Sequence, residues 1–270
     1  ATGYANRTGA AVSHHLVELR SVSHVYPDGS VALRDVSIRV THGECVAIIG
    51  ANGAGKSTLL LHLNGCLAAS SGEVRVGDFP LTRKTLTQVR RTVGMVFQNP
   101  DDQLFMPTVL DDVAFGPLNL GLPQADAEQR SRAALERVGA WHLGDKPPYL
   151  LSGGEKKRVA IATVLSMAPD ILVMDEPTSG LDPVARRQLM ALVSEFQHTR
   201  ILASHDLDMV LALCERTVVL HEGRVAADGA SRDIFRDDAL LARCRLEKPL
   251  AMQGCPVCGV VRLLPRSGAA

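Results

Sequence analysis

Residues Gly50 to Ser57 read GANGAGKS, which satisfies the spacing G-x-x-x-x-G-K-[ST] in full. Glycines at that spacing let backbone N–H groups close around phosphate oxygens, while the lysine reaches the outer phosphates and the hydroxyl suits Mg²⁺. Gly50, Asn52, Gly53, Ala54, Gly55, Lys56, Ser57 and Thr58 are therefore the candidate ATP-binding residues. Asp175 and Glu176 end the apolar run ILVM, where one carboxylate emerges from a buried strand to hold Mg²⁺ and its neighbour, facing another way, can polarise a water. Two more polar residues close apolar runs. Gln98, after TVGMVF, can touch Mg²⁺ or the water; His205, after RILAS, can bond a γ-phosphate or serve as an ordinary structural histidine. Tyr26 precedes a Pro-Asp-Gly turn and suits either stacking on adenine or anchoring its loop. A second phosphate-like start stands in LSGGE, where Ser152, Gly153 and Gly154 open a helix whose first N–H groups are free.

Strands and helices must place these residues. CVAIIG is a continuous apolar run ending at a glycine, as a buried parallel strand does, and KSTLLLHLNG continues as a helix, so the phosphate loop opens a βα unit. LVELRSVSHVY and VSIRV alternate as half-buried strands, and EVRV and TVGMVF read as two more. From Asn99 to Tyr149 the pattern turns helical, broken by Pro107, Pro117 and Pro123. ILVMDEP and RILASHD return to strand; DPVARRQLMALVSEF is a helix with Asp182 as N-cap, and TVVLHEGRVAADG is a hairpin. The expected organisation is a loose end over 1–13, a nucleotide-binding domain over 14–230 with a helical insertion at about 99–168, and a C-terminal helix and tail over 231–270.

The charges balance, 29 Lys plus Arg against 29 Asp plus Glu, so no global field draws this chain to nucleic acid or anionic lipid. No apolar run approaches the ~18 residues of a membrane span, and a chain soluble by itself is expected. Six cysteines, mostly in core-like segments, suit reduced thiols. In the tail, CPVCG has the shape of half a zinc ribbon; Cys255 and Cys258 would need further ligands, with Cys244 the nearby candidate, so unliganded thiols are the expected state and a metal site completed across a dimer is the alternative.

Taken together, the motifs resemble those of the ATP-binding cassette ATPases, over roughly residues 16–228. Gly50–Thr58 matches the Walker A stretch, Gln98 the Q-loop, Leu151–Glu155 the signature, ILVMDE the Walker B strand, Ser179–Asp182 the D-loop and His205 the switch histidine. The resemblance implies an α/β P-loop NTPase with a RecA-like core, an antiparallel β subdomain and a helical subdomain, acting on ATP with Mg²⁺. It assigns Glu176, His205 and Gln98 to catalysis and Ser57, Gln98 and Asp175 to Mg²⁺. It also implies a head-to-tail pair with an identical second subunit, in which Ser152, Gly153, Gly154 and Glu155 act in trans on the partner's nucleotide and Asp182 lies in the D-loop.

GANGAGKSTLLLHLNG and VFQNPDDQLFMPTVLDDVAFGPLNLGL are most similar to the ATPase subunits of energy-coupling-factor importers, especially those for cobalt or nickel. That likeness implies a transmembrane coupling subunit, docked by the stretch after Gln98, a substrate-binding membrane subunit, and a peripheral position on the cytoplasmic face of the inner membrane. A vitamin importer and a soluble non-transport cassette ATPase are the alternatives. Glu155 stands where many relatives have glutamine, and it is expected to point into solvent or toward Lys156 or Arg158.

Overall fold

The computed structural model describes residues 15–253. Its strands are β1 (His15–Val25), β2 (Val31–Thr41), β3 (Cys45–Ile49), β4 (Ser71–Val76), β5 (Phe79–Pro80), β6 (Val93–Val96), β7 (Ile171–Asp175), β8 (Thr199–Ala203), β9 (Arg216–His221) and β10 (Arg224–Ala230). The helices are α1 (Lys56–Leu63), α2 (Leu86–Thr92), α3 (Val109–Asn119), α4 (Gln124–Arg137), α5 (Gly153–Leu165), α6 (Pro183–Ser194), α7 (Leu207–Leu213), α8 (Ser231–Ile234) and α9 (Asp238–Arg243).

The strands form two sheets. One is antiparallel in the order β2-β1-β4-β5, and the other runs β10-β9-β3-β8-β7-β6. In the second, β9, β3, β8, β7 and β6 are mutually parallel and β10 closes the edge as the return arm of a hairpin. Parallel strands covered on both faces read as unbroken apolar runs, and β3 and β7 are buried at every position. β1 and β2 instead alternate, placing Val17, Leu19, Leu33, Val36 and Ile38 in the core and polar residues outside. This is the expected P-loop NTPase architecture, with α3, α4 and α5 packed together as the helical subdomain.

Three details depart from the sequence reading. Pro117 does not break its helix but lies inside α3. A proline four residues on leaves the Val113 carbonyl without its helical N–H, and the buried Ser166 hydroxyl donates to that oxygen at 2.8 Å. The short β5 and α2 were not foreseen, since two residues of strand and seven of helix carry too little periodicity to register. Beyond residue 230, α8 and α9 carry Phe235, Leu240, Leu241 and Cys244 into the same core that surrounds β7 and α5. Cys244 is thus a buried free thiol; Cys255, Cys258 and the loose end over 1–13 lie outside the described residues.

Candidate active site

In the parallel sheet β8 lies between β3 and β7, with β6 outside β7, so the carboxyl ends of four neighbouring strands deliver four motifs to one edge. β3 leads into the phosphate loop, β8 into His205, β7 into Asp175 and Glu176, and β6 into Gln98. A cleft of about 410 Å³ opens there, lined among others by Tyr26, Asn52, Gly55, Lys56, Ser57, Thr58, Gln98, Glu176 and His205. Ser152, Gly153 and Gly154 are not part of that lining.

Two of the loop's glycines are required by close packing. A Cβ at Gly50 would stand 2.4 Å from the Leu220 carbonyl oxygen, and one at Gly55 would stand 2.6 Å from that of Ala32. Gly55 also has φ +103° at the start of α1, a conformation natural to glycine. Lys56 is buried, its ammonium donating to the carbonyls of Gly50 at 2.8 Å and Ala51 at 3.2 Å. Burial lowers its pKa, and the nearby carboxylates of Glu176 and Asp175 oppose that shift. Ser57 is exposed to the cleft, whereas the Ala54 methyl is buried and only its backbone belongs to the loop surface. The Tyr26 hydroxyl and the Thr58 hydroxyl lie 2.9 Å apart, which fixes the tyrosine beside the loop.

Glu176 is the most constrained acid. Its φ of +46° is left-handed and strained for a non-glycine residue, at roughly 1–3 kcal/mol. Its amide donates to Ala203 O at 2.9 Å, and one carboxylate oxygen accepts the His205 amide at 3.0 Å. The other oxygen lies 3.1 Å from His205 Nε2. Burial pushes the Glu176 pKa up, partly offset by the His205 amide and imidazole and by Lys56. Asp175 is also buried, and its Oδ1 has no partner. Asp175 is not among the residues lining the cleft that holds Ser57 and Gln98, but an orphaned carboxylate oxygen next to Glu176, with a serine hydroxyl and a glutamine at that edge, is a donor set that fits Mg²⁺.

At the second phosphate-like start, Ser152 caps α5 and Glu155 completes a capping box. Glu155 does not reach toward Lys156 or Arg158. Its Oε2 accepts from the Ser152 amide at 2.8 Å and hydroxyl at 2.7 Å, and those bonds lower its pKa. Lys156 instead meets Asp101 at 2.6 Å. Asp182 caps α6 as expected, accepting from the amides of Val184 at 2.8 Å and Ala185 at 2.9 Å.

Other residues at this site were missed by sequence reasoning. Arg186 of α6 forms a two-pronged ion pair with Asp206, which in turn caps α7 just after His205. Gln103 and the buried Lys157 reach the backbone beside Gln98. Lys157 was discoverable: it stands four residues before Ile161 and seven before Val164, on the apolar face of its helix.

A phosphate loop, a pair of adjacent acids and a histidine in contact with one of them, at the edge of a parallel sheet, fit a nucleoside triphosphatase. The ABC transporter family model matches residues 33–179, and the chain belongs to that family as an ATP-binding, ATP-hydrolysing subunit. A Geobacter sulfurreducens chain described as an ABC transporter ATP-binding protein is 71% identical over 92% of this chain and all of its own. The energy-coupling factor transporter ATP-binding protein EcfA of Methanocaldococcus jannaschii is 45% identical, over 87% of this chain and 86% of its own, and the chain groups with such proteins. The solved cbiO1 of Clostridium perfringens, part of the cbiONQ transporter complex, has a TM-score of 0.74 at 40% identity, covering 86% and 94% of the two chains. The cassette MJ0796, dimeric and bound to ADP and phosphate, has a TM-score of 0.74 at 29% identity, covering 80% and 99%.

Proposed function

We propose that two copies of this chain pair head to tail and power an energy-coupling-factor importer for a transition-metal cation, cobalt or nickel, at the cytoplasmic face of the inner membrane. The observation that carries the pairing is at the signature. A Cβ at Gly153 would meet nothing within 4 Å, and one at Gly154 would meet only Leu181 Cδ2 at 3.8 Å. Nothing inside the subunit demands glycine there, and the segment does not line its own nucleotide cleft. Bare N–H groups at a helix start suit a phosphate brought by another subunit. Cobalt or nickel as the cargo rests on the likeness to cbiO1 and on the NPDDQLF stretch.

Each ATP is held through Lys56 and the loop amides of one subunit and through Ser152, Gly153 and Gly154 of the other. Ser57, Gln98 and Asp175 would hold Mg²⁺, which supplies charge neutralisation for the β- and γ-phosphates. Glu176 orients and deprotonates the attacking water, and His205 holds Glu176 by its amide while its ring faces the same cleft. Because ATP touches both halves only when they are closed, its extra affinity there favours closure. Closure moves the loop beyond Gln98 and the membrane subunit docked on it. Complementation tests the arrangement: Ser152→Arg and Lys56→Ala should each lack turnover alone, and their mixture should recover activity from the one intact site of each mixed dimer. No recovery on mixing overturns the trans pairing.

A further inference from the structure

β6 is the last strand of its sheet, and its ladder ends at Val96, so the backbone of Phe97 and Gln98 must find partners elsewhere. They come from two side chains. The Phe97 amide donates to Gln103 Oε1 at 3.1 Å, and Gln103 Nε2 donates onward to Ala160 O at 2.7 Å and Thr163 Oγ1 at 2.6 Å, both on α5. The Lys157 ammonium, also on α5, donates to Phe97 O at 3.2 Å and Gln98 O at 2.9 Å.

Lys157 is only 2% exposed and forms none of the ion pairs among the described residues. A buried ammonium held by carbonyls alone carries a desolvation cost that a methionine of similar length would not. Its two bonds tie α5 to the backbone that follows β6.

We propose that Gln103 and Lys157 are positioning residues that fasten Gln98 to the signature helix, so that a displacement of Gln98 by nucleotide is carried to Ser152 of the same subunit. Ser152 caps the helix that holds Lys157, five residues and about 7.5 Å along its axis. The proposal rests on the trans reading above. If Ser152 serves the partner's nucleotide, the event at one site reaches the other through this fastening, and the two sites of a dimer work together.

The test uses the full-length chain carrying Lys157→Met, Gln103→Leu or Lys157→Arg. A fluorescent ATP analogue reads nucleotide affinity, and hydrolysis against ATP concentration reads kcat and the Hill coefficient. The wild-type chain should show a Hill coefficient above one. In Lys157→Met and Gln103→Leu, affinity should stay within about threefold, kcat should fall about tenfold or more, and the Hill coefficient should drop to about one. Lys157→Arg, which keeps the donors, should recover most of the lost turnover. Unchanged kcat and Hill coefficient in both apolar variants overturn the proposal, as does a wild-type Hill coefficient of one. Should an apolar variant fail to fold, Gln103→Glu keeps the volume and the Phe97 bond but sets an oxygen against Ala160 O, and it must show the same pattern. Complementation between Ser152→Arg and Lys56→Ala separates the failures: if it succeeds while Lys157→Met turns over normally, only the fastening is wrong.

Discussion

Glu176 combines burial, a left-handed backbone and two contacts to His205, and each of these bears on its chemistry. Burial raises its proton affinity, which suits a base that must take a proton from water near neutral pH. The amide of His205 and the left-handed turn fix where the carboxylate points, at a local backbone cost that the surrounding sheet sustains. Glu176→Gln should retain ATP affinity and lose roughly 10²–10⁴-fold in turnover, measured as phosphate release at saturating ATP. In the proposed role Glu176 would act only when ionised, so wild-type turnover should fall as pH drops through its raised pKa. That acid limb should lie above the ordinary carboxylate range and be missing from whatever activity the variant retains. Near-normal hydrolysis by Glu176→Gln removes the assignment.

Helix α1 is held from behind by a buried histidine pair. His62 Nδ1 lies 2.6 Å from Thr58 O, so it carries a proton and donates, leaving Nε2 as an acceptor. His24 Nδ1 lies 3.1 Å from Ala68 O and 3.2 Å from His62 Nε2, which one shared N–H satisfies. A second proton on His62 would face the His24 N–H. Burial lowers the His62 pKa, with the Thr58 carbonyl opposing. In the window between the unfolded value of about 6.5 and the lower folded one, the unfolded chain binds the proton and the folded chain does not, so stability is lost as pH falls. The urea midpoint should therefore decrease from pH 7.5 to 5.5, and His62→Asn should show a shallower decrease. An equal slope in both proteins refutes this.

That pair was invisible in sequence because His24 and His62 are 38 residues apart and meet only across β1 and α1. What was legible follows a rule: elements with a full period, such as β3, β7 and α6, read correctly, and Gln98, Asp175, Glu176 and His205 stand at or just past strand ends, the positions the apolar runs placed them in. Glu155 lies at the exposed start of α5, as the solvent-facing expectation had it; what was not anticipated is that the bonds to Ser152, rather than Lys156 or Arg158, hold it there. Pro117 was misread because the Ser166 hydroxyl that compensates it comes from another helix.

At the scale of the whole molecule, the apolar surface left uncovered points to where force leaves the ATPase. Phe105, 64% exposed and in the loop that follows Gln98, meets Phe115 of α3 edge to face with centroids 5.0 Å apart, and Leu118 of α3 is also exposed. Asp112 holds the loop in place, its Oδ1 accepting the amides of Phe105 at 3.0 Å and Met106 at 3.1 Å. Among the described residues no helix is long and apolar enough to cross a membrane, and this exposed apolar patch is the surface proposed above to receive the membrane subunit. Replacing Phe105 and Phe115 with serine removes the apolar contact while leaving the nucleotide cleft untouched. Isolated subunits carrying both changes should hydrolyse ATP within about twofold of wild type, because neither residue lines that cleft. In cells that carry the full set of subunits, the same protein should no longer co-purify with small membrane proteins, and uptake of labelled Co²⁺ or Ni²⁺ should fall at least about tenfold, as for loss of an aromatic anchor at an interface. Normal uptake of both ions in the double variant places the docking surface elsewhere. If the wild-type assembly takes up neither ion while still hydrolysing ATP, the metal cargo is wrong and the ATPase reading stands.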